Sequence, residues 1–171
     1  MKKRTIDAFD YASHICKALK PAGVLLTTAA DGVVNTMTIG WGTIGEDWSR
    51  PVFIAYVRES RYTKQMLERN PAFTVNIPYG SFDKKILGYC GTKSGRDTDK
   101  IKDMDLHLVD SDVIDVPGIL EFPLTLECKV IYKEEQDLSR IPEDILERYY
   151  PTGDHHHVYY GQIVNAYMIE E

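Results

Sequence analysis

The sequence predicts a mainly β protein with short helices, folded as an antiparallel barrel with decorations. Three observations carry that expectation. Many short β-rich segments alternate with short helical ones. No regular β-α-β order recurs. Asp31-Gly32 lies between two apolar runs, a hairpin signal because such a turn needs positive φ at its centre.

The elements follow in order. Thr5 to Leu19 carries Ile6, Phe9, Ile15, Ala18 and Leu19 at roughly helical spacing, so a helix is expected, ended by Pro21-Ala22-Gly23. Val24 to Ala30 and Val33 toward Trp41 are the two strands of the hairpin. Trp48 to Arg50 reads as a connecting loop, and Pro51 opens a third strand, Val52 to Val57. A short helix runs from Ser60 to Asn70, where Asn70-Pro71 stops it. Ala72 to Ile77 is a strand, Ser81 to Tyr89 a short helix, and Gly91 to Asp99 a polar loop. Ile101 to Val116 is a weakly patterned connection. Leu124 to Tyr132 is a strand, Pro142 to Tyr149 a small acidic helix, and Val158 to Ile169 the last strand.

Composition bounds the function. The chain of 171 residues suits one domain over 1–171, and its 43% apolar content is enough for a core. A formal net charge of −6 argues against non-specific binding to nucleic acid or to an anionic membrane. No apolar stretch approaches the roughly 20 residues that cross a bilayer. Lys2, Lys3 and Arg4 are followed by acidic residues and not by an apolar run, so no export signal is read. Cys16, Cys90 and Cys128 are far apart with no CxxC, as expected of free thiols in a reducing cytoplasm.

Four segments could converge on one site. In Asn35-Thr36-Met37-Thr38-Ile39-Gly40-Trp41-Gly42, alternation puts hydroxyls on one face and apolar groups on the other, and the glycines bare backbone N–H groups. The plain alternative is a strand ending in a bulge, with Trp41 in the core. In Arg58-Glu59-Ser60-Arg61-Tyr62-Thr63, Ser60 is placed to cap a helix whose N–H groups, with Thr63 and the arginines, would suit a phosphate. Without a ligand this is a capped surface helix. Cys90-Gly91-Thr92-Lys93-Ser94-Gly95-Arg96-Asp97-Thr98-Asp99-Lys100 could form an anion-binding nest or a solvated loop. It is neither a Walker loop nor a dinucleotide fingerprint. In Gly153-Asp154-His155-His156-His157, strand alternation sends His155 and His157 one way and His156 the other. Adjacent strand histidines are a poor tetrahedral set by themselves, no second ligand cluster stands out by spacing, and no metal is expected.

Together and in this order, NTMTIGW (35–41), SRYT (60–63), FTVNIP (73–78), CGTKSGRDTDK (90–100) and GDHHHVYYGQIV (153–164) resemble the flavin-reductase-like family with the FMN-binding split-barrel fold. Flavoredoxin-like and NAD(P)H:flavin oxidoreductase members match the pattern best. The resemblance implies a split β-barrel that binds FMN. It places Thr36, Met37, Thr38 and Trp41 along the ring and Ser60, Arg61 and Thr63 at the phosphate. Asn76 would reach the ribityl or ring region. Cys90, Gly91, Ser94, Gly95, Arg96 and Lys100 would close the cofactor from the other side. The family's late-strand histidine falls best on His156, with His155 the neighbour in question.

The resemblance also implies a homodimer and a nicotinamide donor, NADH or NADPH, whose electrons pass from the flavin to a small-molecule or protein acceptor. A flavoredoxin-like electron carrier with tightly bound FMN and no direct NAD(P)H oxidation is the alternative. No protein nucleophile is needed for either.

Overall fold

In the computed structural model, which describes residues 2–170, the chain order begins β1 (Lys2–Thr5), α1 (Ala12–Leu19), β2 (Val24–Ala30), β3 (Val33–Ile39), β4 (Gly42–Asp47) and β5 (Arg50–Arg58). It continues α2 (Tyr62–Arg69), β6 (Ala72–Ile77), α3 (Lys84–Thr92), α4 (Lys100–Asp103), β7 (Leu108–Val109) and β8 (Gly118–Ile119). It ends with β9 (Leu124–Glu135), α5 (Glu143–Tyr149) and β10 (His156–Glu170). Met1 and Glu171, the ends of the expected 1–171 domain, lie outside the described residues.

The main sheet is antiparallel, in the order β3-β2-β6-β9-β10-β5-β4, and β1 adds to the end of β10. Inward side chains of β2, β3, β5, β6, β9 and β10 meet in one cluster that includes Leu26, Met37, Phe53, Phe73, Leu126 and Tyr159. The sheet therefore curls around its own core as a barrel. Its end strands, β3 and β4, are joined through Gly40-Trp41 and are not paired with each other, and α1 packs against β4 there. β10 is the spine. It pairs with β9 and β5, and two register shifts, at Tyr160/Gly161 and Ile163/Asn165, bend it.

The Asp31-Gly32 hairpin forms as expected, with φ of 52° and 78° at its two central residues. The last strand divides its tyrosines, with Tyr159 in the core and Tyr160 half-buried.

Several boundaries differ from the sequence reading. Thr5 ends a strand and not a helix. Lys2–Thr5 pairs with Tyr167–Glu170, and the Asp7 carboxylate, accepting from Phe9 N–H at 2.9 Å, starts a 3-10 turn before α1. β4 fills the stretch between the expected second strand and the expected Trp48–Arg50 loop, and the chain turns at Trp48-Ser49, inside that loop, both at positive φ. Its Gly-Thr-Ile-Gly-Glu-Asp sequence has no apolar run, because an edge strand needs little core. α3 starts at the Asp83 cap and extends through Gly91, so the expected loop begins only at Lys93.

Candidate functional site

Two cavities open between β3, β5, the start of α2 and the α3–α4 connection. The upper one, about 150 Å³, is lined by Met37, Thr38, Gly40, Trp41, Tyr56, Arg58, Arg61 and His156, with Ile39. The lower one, about 110 Å³, takes Ser60, Arg61, Thr63, Lys93, Ser94, Gly95, Arg96 and Lys100, with Asn35, Met37 and Tyr62. Met37 and Arg61 line both, so the two adjoin and make up one cleft region.

The lower cavity is built for an anion. Arg61, Lys93, Arg96 and Lys100 line it, and the first turn of α2 opens onto it. Lys100 is buried at 4% exposure. Its Nζ donates to the Cys90 carbonyl at 3.3 Å, and no carboxylate pairs with it among the described residues. Burial pulls the Lys100 ammonium below its ordinary pKa. An anion in the cavity would reverse that penalty. Arg96 holds the loop in place, with Nη1 donating to the Ser60 carbonyl at 3.0 Å and its guanidinium over the Tyr62 ring. Gly95 is where that loop meets β3: a Cβ there would lie 2.1 Å from Asn35 Oδ1 and 2.9 Å from the Tyr62 ring.

Asp154 ties down this corner. Its carboxylate accepts from Ser60 N–H at 3.0 Å and from the Ser60 hydroxyl at 2.8 Å. The N-cap position of α2 belongs to Arg61, whose side chain makes no cap bond. The cap expected of Ser60 is corrected on this point, because its hydroxyl is committed elsewhere.

His156 presides over the upper cavity. Its Nδ1 is 2.8 Å from the Tyr150 hydroxyl, which donates to Gln136 Oε1 at 2.9 Å. The same Gln136 oxygen accepts from the His156 backbone N–H at 3.3 Å, which fixes the amide orientation. With its one proton given to Gln136, the Tyr150 oxygen accepts, and the arrangement favours the ring proton of His156 on Nδ1. Nε2 is left as an acceptor. Burial, reinforced by Arg58, lowers the His156 pKa to about 4. The ring is neutral at pH 7 and stands 5.0 Å from the Trp41 ring, centroid to centroid.

Of the residues expected from the sequence, Met37, Thr38, Trp41, Ser60, Arg61, Thr63, Ser94, Gly95, Arg96, Lys100 and His156 line this cleft. Four do not. Thr36 is fully buried and hydrogen-bonded to Thr27 and the Leu26 carbonyl. Asn76 is fully buried and ties Thr27, Thr74 and Ile119 N–H together, a barrel crosslink. The Cys90 side chain packs with Leu25, Leu87 and Phe122, and burial pushes its thiol up to about 11, so it is an inert thiol. Gly91 lies in α3 against Thr38, where a Cβ would come within 3.3 Å of the Thr38 Cβ.

The sequence reading missed Tyr56, Tyr150 and Gln136. Tyr56 shares a strand face with Arg58 by period-two spacing, a usable signal. Nothing local marks Tyr150 or Gln136, which reach His156 only through the packing of α5 and the end of β9.

The family model described as flavin reductase like domain matches residues 19–171. The chain belongs to the flavin-reductase-like family. Flavoredoxin from Methanosarcina acetivorans superposes with a TM-score of 0.65 at 28% identity, over 87% of this chain and 69% of that one. An FMN-binding domain of a flavin-reductase-like enzyme from Shewanella baltica OS155 gives 0.66 at 16% identity, over 98% and 77%. The NADH:FAD oxidoreductase of Streptomyces globisporus C-1027 gives 0.66 at 18%, over 97% and 87%. The fold is therefore the FMN-binding split barrel of flavin-reductase-like proteins.

Proposed function

We propose that this member of the flavin-reductase-like family holds FMN in the cleft and passes electrons from NADH or NADPH to a second acceptor. The observation that carries the reading is Lys100, a buried ammonium without a carboxylate partner, facing a cavity that Arg61, Lys93 and Arg96 also line. A phosphate monoester carries close to two negative charges, and that donor set fits it.

A bound FMN would supply the ring that accepts a hydride and releases electrons one or two at a time. The chain does the rest. Arg61, Arg96 and Lys100 hold the phosphate end. Met37, Thr38 and Gly40 line the ring end. Trp41 and Tyr56 narrow the cleft and exclude water. His156 keeps its proton on Nδ1 and offers Nε2 to the carboxamide N–H of a nicotinamide, setting its orientation.

Steady-state and anaerobic single-turnover oxidation of NADH and NADPH by FMN-loaded protein test this. Flavin bleaching on the timescale of turnover supports the reading, and a flavin that neither nucleotide reduces defeats it. The second reading, an electron carrier reduced by a partner protein, is favoured by the likeness to a flavoredoxin at 28% identity. Reduction by a low-potential ferredoxin but not by NAD(P)H selects it.

A homodimer belongs to the same proposal. Trp48, Tyr132 and Tyr160 form an aromatic cluster with ring centroids 5.1–6.0 Å apart, and Trp48 and Tyr132 are exposed. Light scattering tests it, and a monomeric mass rejects it. No helix among the described residues is long and apolar enough to cross a membrane. A cytoplasmic location, consistent with three free cysteines, is part of the same proposal.

A further inference from the structure

On the face of β10 opposite His156, three side chains from distant parts of the chain meet. Glu59 follows the last residue of β5, and His155 and His157 flank His156. One ligand atom from each lies within 4.8 Å of the others. The two imidazole centroids are 5.2 Å apart. His157 is buried, and its Nε2 contacts Glu59 Oε2. Glu135, opposite His157 on β9, brings Oε1 to 2.7 Å from His155 Nε2.

The hydrogen bonding of this cluster is incomplete. His155 Nε2 is out of line for a bond to Glu135 and has no other partner, and His157 Nδ1 has none either. Two buried ring nitrogens without hydrogen bonds are unusual. Lys64 and Glu59 form a pair at 2.9 Å that uses only Oε1, so Oε2 stays directed at the histidines.

We propose that Glu59, His155 and His157 bind one divalent transition-metal ion of the zinc class. Two imidazoles and a carboxylate are borderline donors, which suit Zn²⁺ over Mg²⁺ or Ca²⁺. Alternation in β10 puts both histidines on one face, and the turn after β5 supplies the carboxylate, tethered by Glu59 N–H donating to the His155 carbonyl at 2.9 Å. Ligand atoms around a four-coordinate zinc stand roughly 3.3 Å apart, from bond lengths of about 2.0 Å. The half-exposed Glu59 side chain has the freedom to close that distance. Glu135 at the rim supplies a fourth ligand or orients His155. The ion would clamp β10 to the Glu59-Ser60-Arg61 connection and leave His156 free on the other face.

Glu59, His155 and His157 are not among the residues that line the cleft, so the test needs no flavin. Chelator-stripped protein without a histidine tag is titrated with Zn²⁺ against a chromophoric chelator, and with Co²⁺ by visible absorption. The expected result is one ion per chain at micromolar affinity or tighter. The Co²⁺ spectrum should show nitrogen and oxygen ligation with no thiolate charge-transfer band. Zn²⁺ should raise the melting temperature, and chelator should reverse the rise. Glu59→Gln and His157→Gln should each weaken binding about tenfold or more, while Cys16→Ser should bind as the parent does. Glu59 is half-exposed, so Glu59→Gln keeps the test valid if the buried His157 variant fails to fold. Failure to take up one equivalent of ion overturns the proposal. So does uptake that Glu59→Gln leaves unchanged or that Cys16→Ser abolishes.

Discussion

The Tyr150 hydroxyl stands 2.8 Å from Nδ1 of His156 and donates its own proton onward to Gln136. That chain sets which nitrogen of His156 faces the cleft. Tyr150→Phe removes the acceptor for the Nδ1 proton and lets the ring take either tautomer. The expected effect is a five- to tenfold rise in KM for the reduced nicotinamide, about the worth of one hydrogen bond, with a smaller change in kcat. Steady-state kinetics with saturating acceptor measures it.

His156 also leaves a mark on stability. Its folded pKa, about 4, lies below the ordinary histidine value, so the unfolded chain binds the extra proton first as pH falls. Folding is unaffected by this group above pH 7 and loses stability between about 6.5 and 4, by about 3 kcal/mol in total. Urea melts at pH 7 and pH 5 should show the loss in the parent, and His156→Gln should remove that component.

Arg61 lines both cavities, and Lys100 is buried beside the lower one. Arg61→Gln and Lys100→Met should each weaken FMN binding about 10- to 100-fold and riboflavin binding much less, since riboflavin lacks the phosphate. Quenching of flavin fluorescence reads both ligands.

Gly95→Ala drives a methyl group to 2.1 Å from Asn35 Oδ1 and 2.9 Å from the Tyr62 ring, so those side chains or the 94–96 loop must shift. A cost of about 1–3 kcal/mol is expected, seen as a lower denaturation midpoint together with weaker FMN binding.

Glu127 is a fully buried carboxylate on β9 that accepts from the N–H groups of Asp112 and Val113 at 2.8 Å, from Ile114 N–H at 3.1 Å and from Asn165 Nδ2 at 2.9 Å. Glu127→Ala strands three backbone donors at once. It should destabilise the protein by about 3 kcal/mol in urea unfolding, with no direct effect on the cleft.

Much of this was legible along the chain because period-two strands and short turns write locally. Asp31-Gly32 marks its hairpin, and the Thr36/Thr38 against Met37/Ile39 alternation is kept, with Met37 and Ile39 in the core. The strand rule also separated His156 from His155 and His157. The rest depends on distant packing. Asn76 reads as a ligand contact in sequence, but it lies on β6 between β2 and β9, where its amide is used up inside the barrel. Ser60 has the composition of a cap, yet its hydroxyl donates to Asp154, 94 residues away, and the N-cap position of α2 falls to Arg61, with no side-chain cap bond. Glu59 joins the histidines only because β5 and β10 are neighbours, a pairing that no spacing reveals.

The central claim is an FMN held by its phosphate at Arg61, Arg96 and Lys100, and parallel calorimetric titrations with FMN and riboflavin test it most directly. The account predicts one FMN per chain, with riboflavin bound about 100-fold more weakly or worse. Equal affinity for the two, or no heat with FMN, would contradict it.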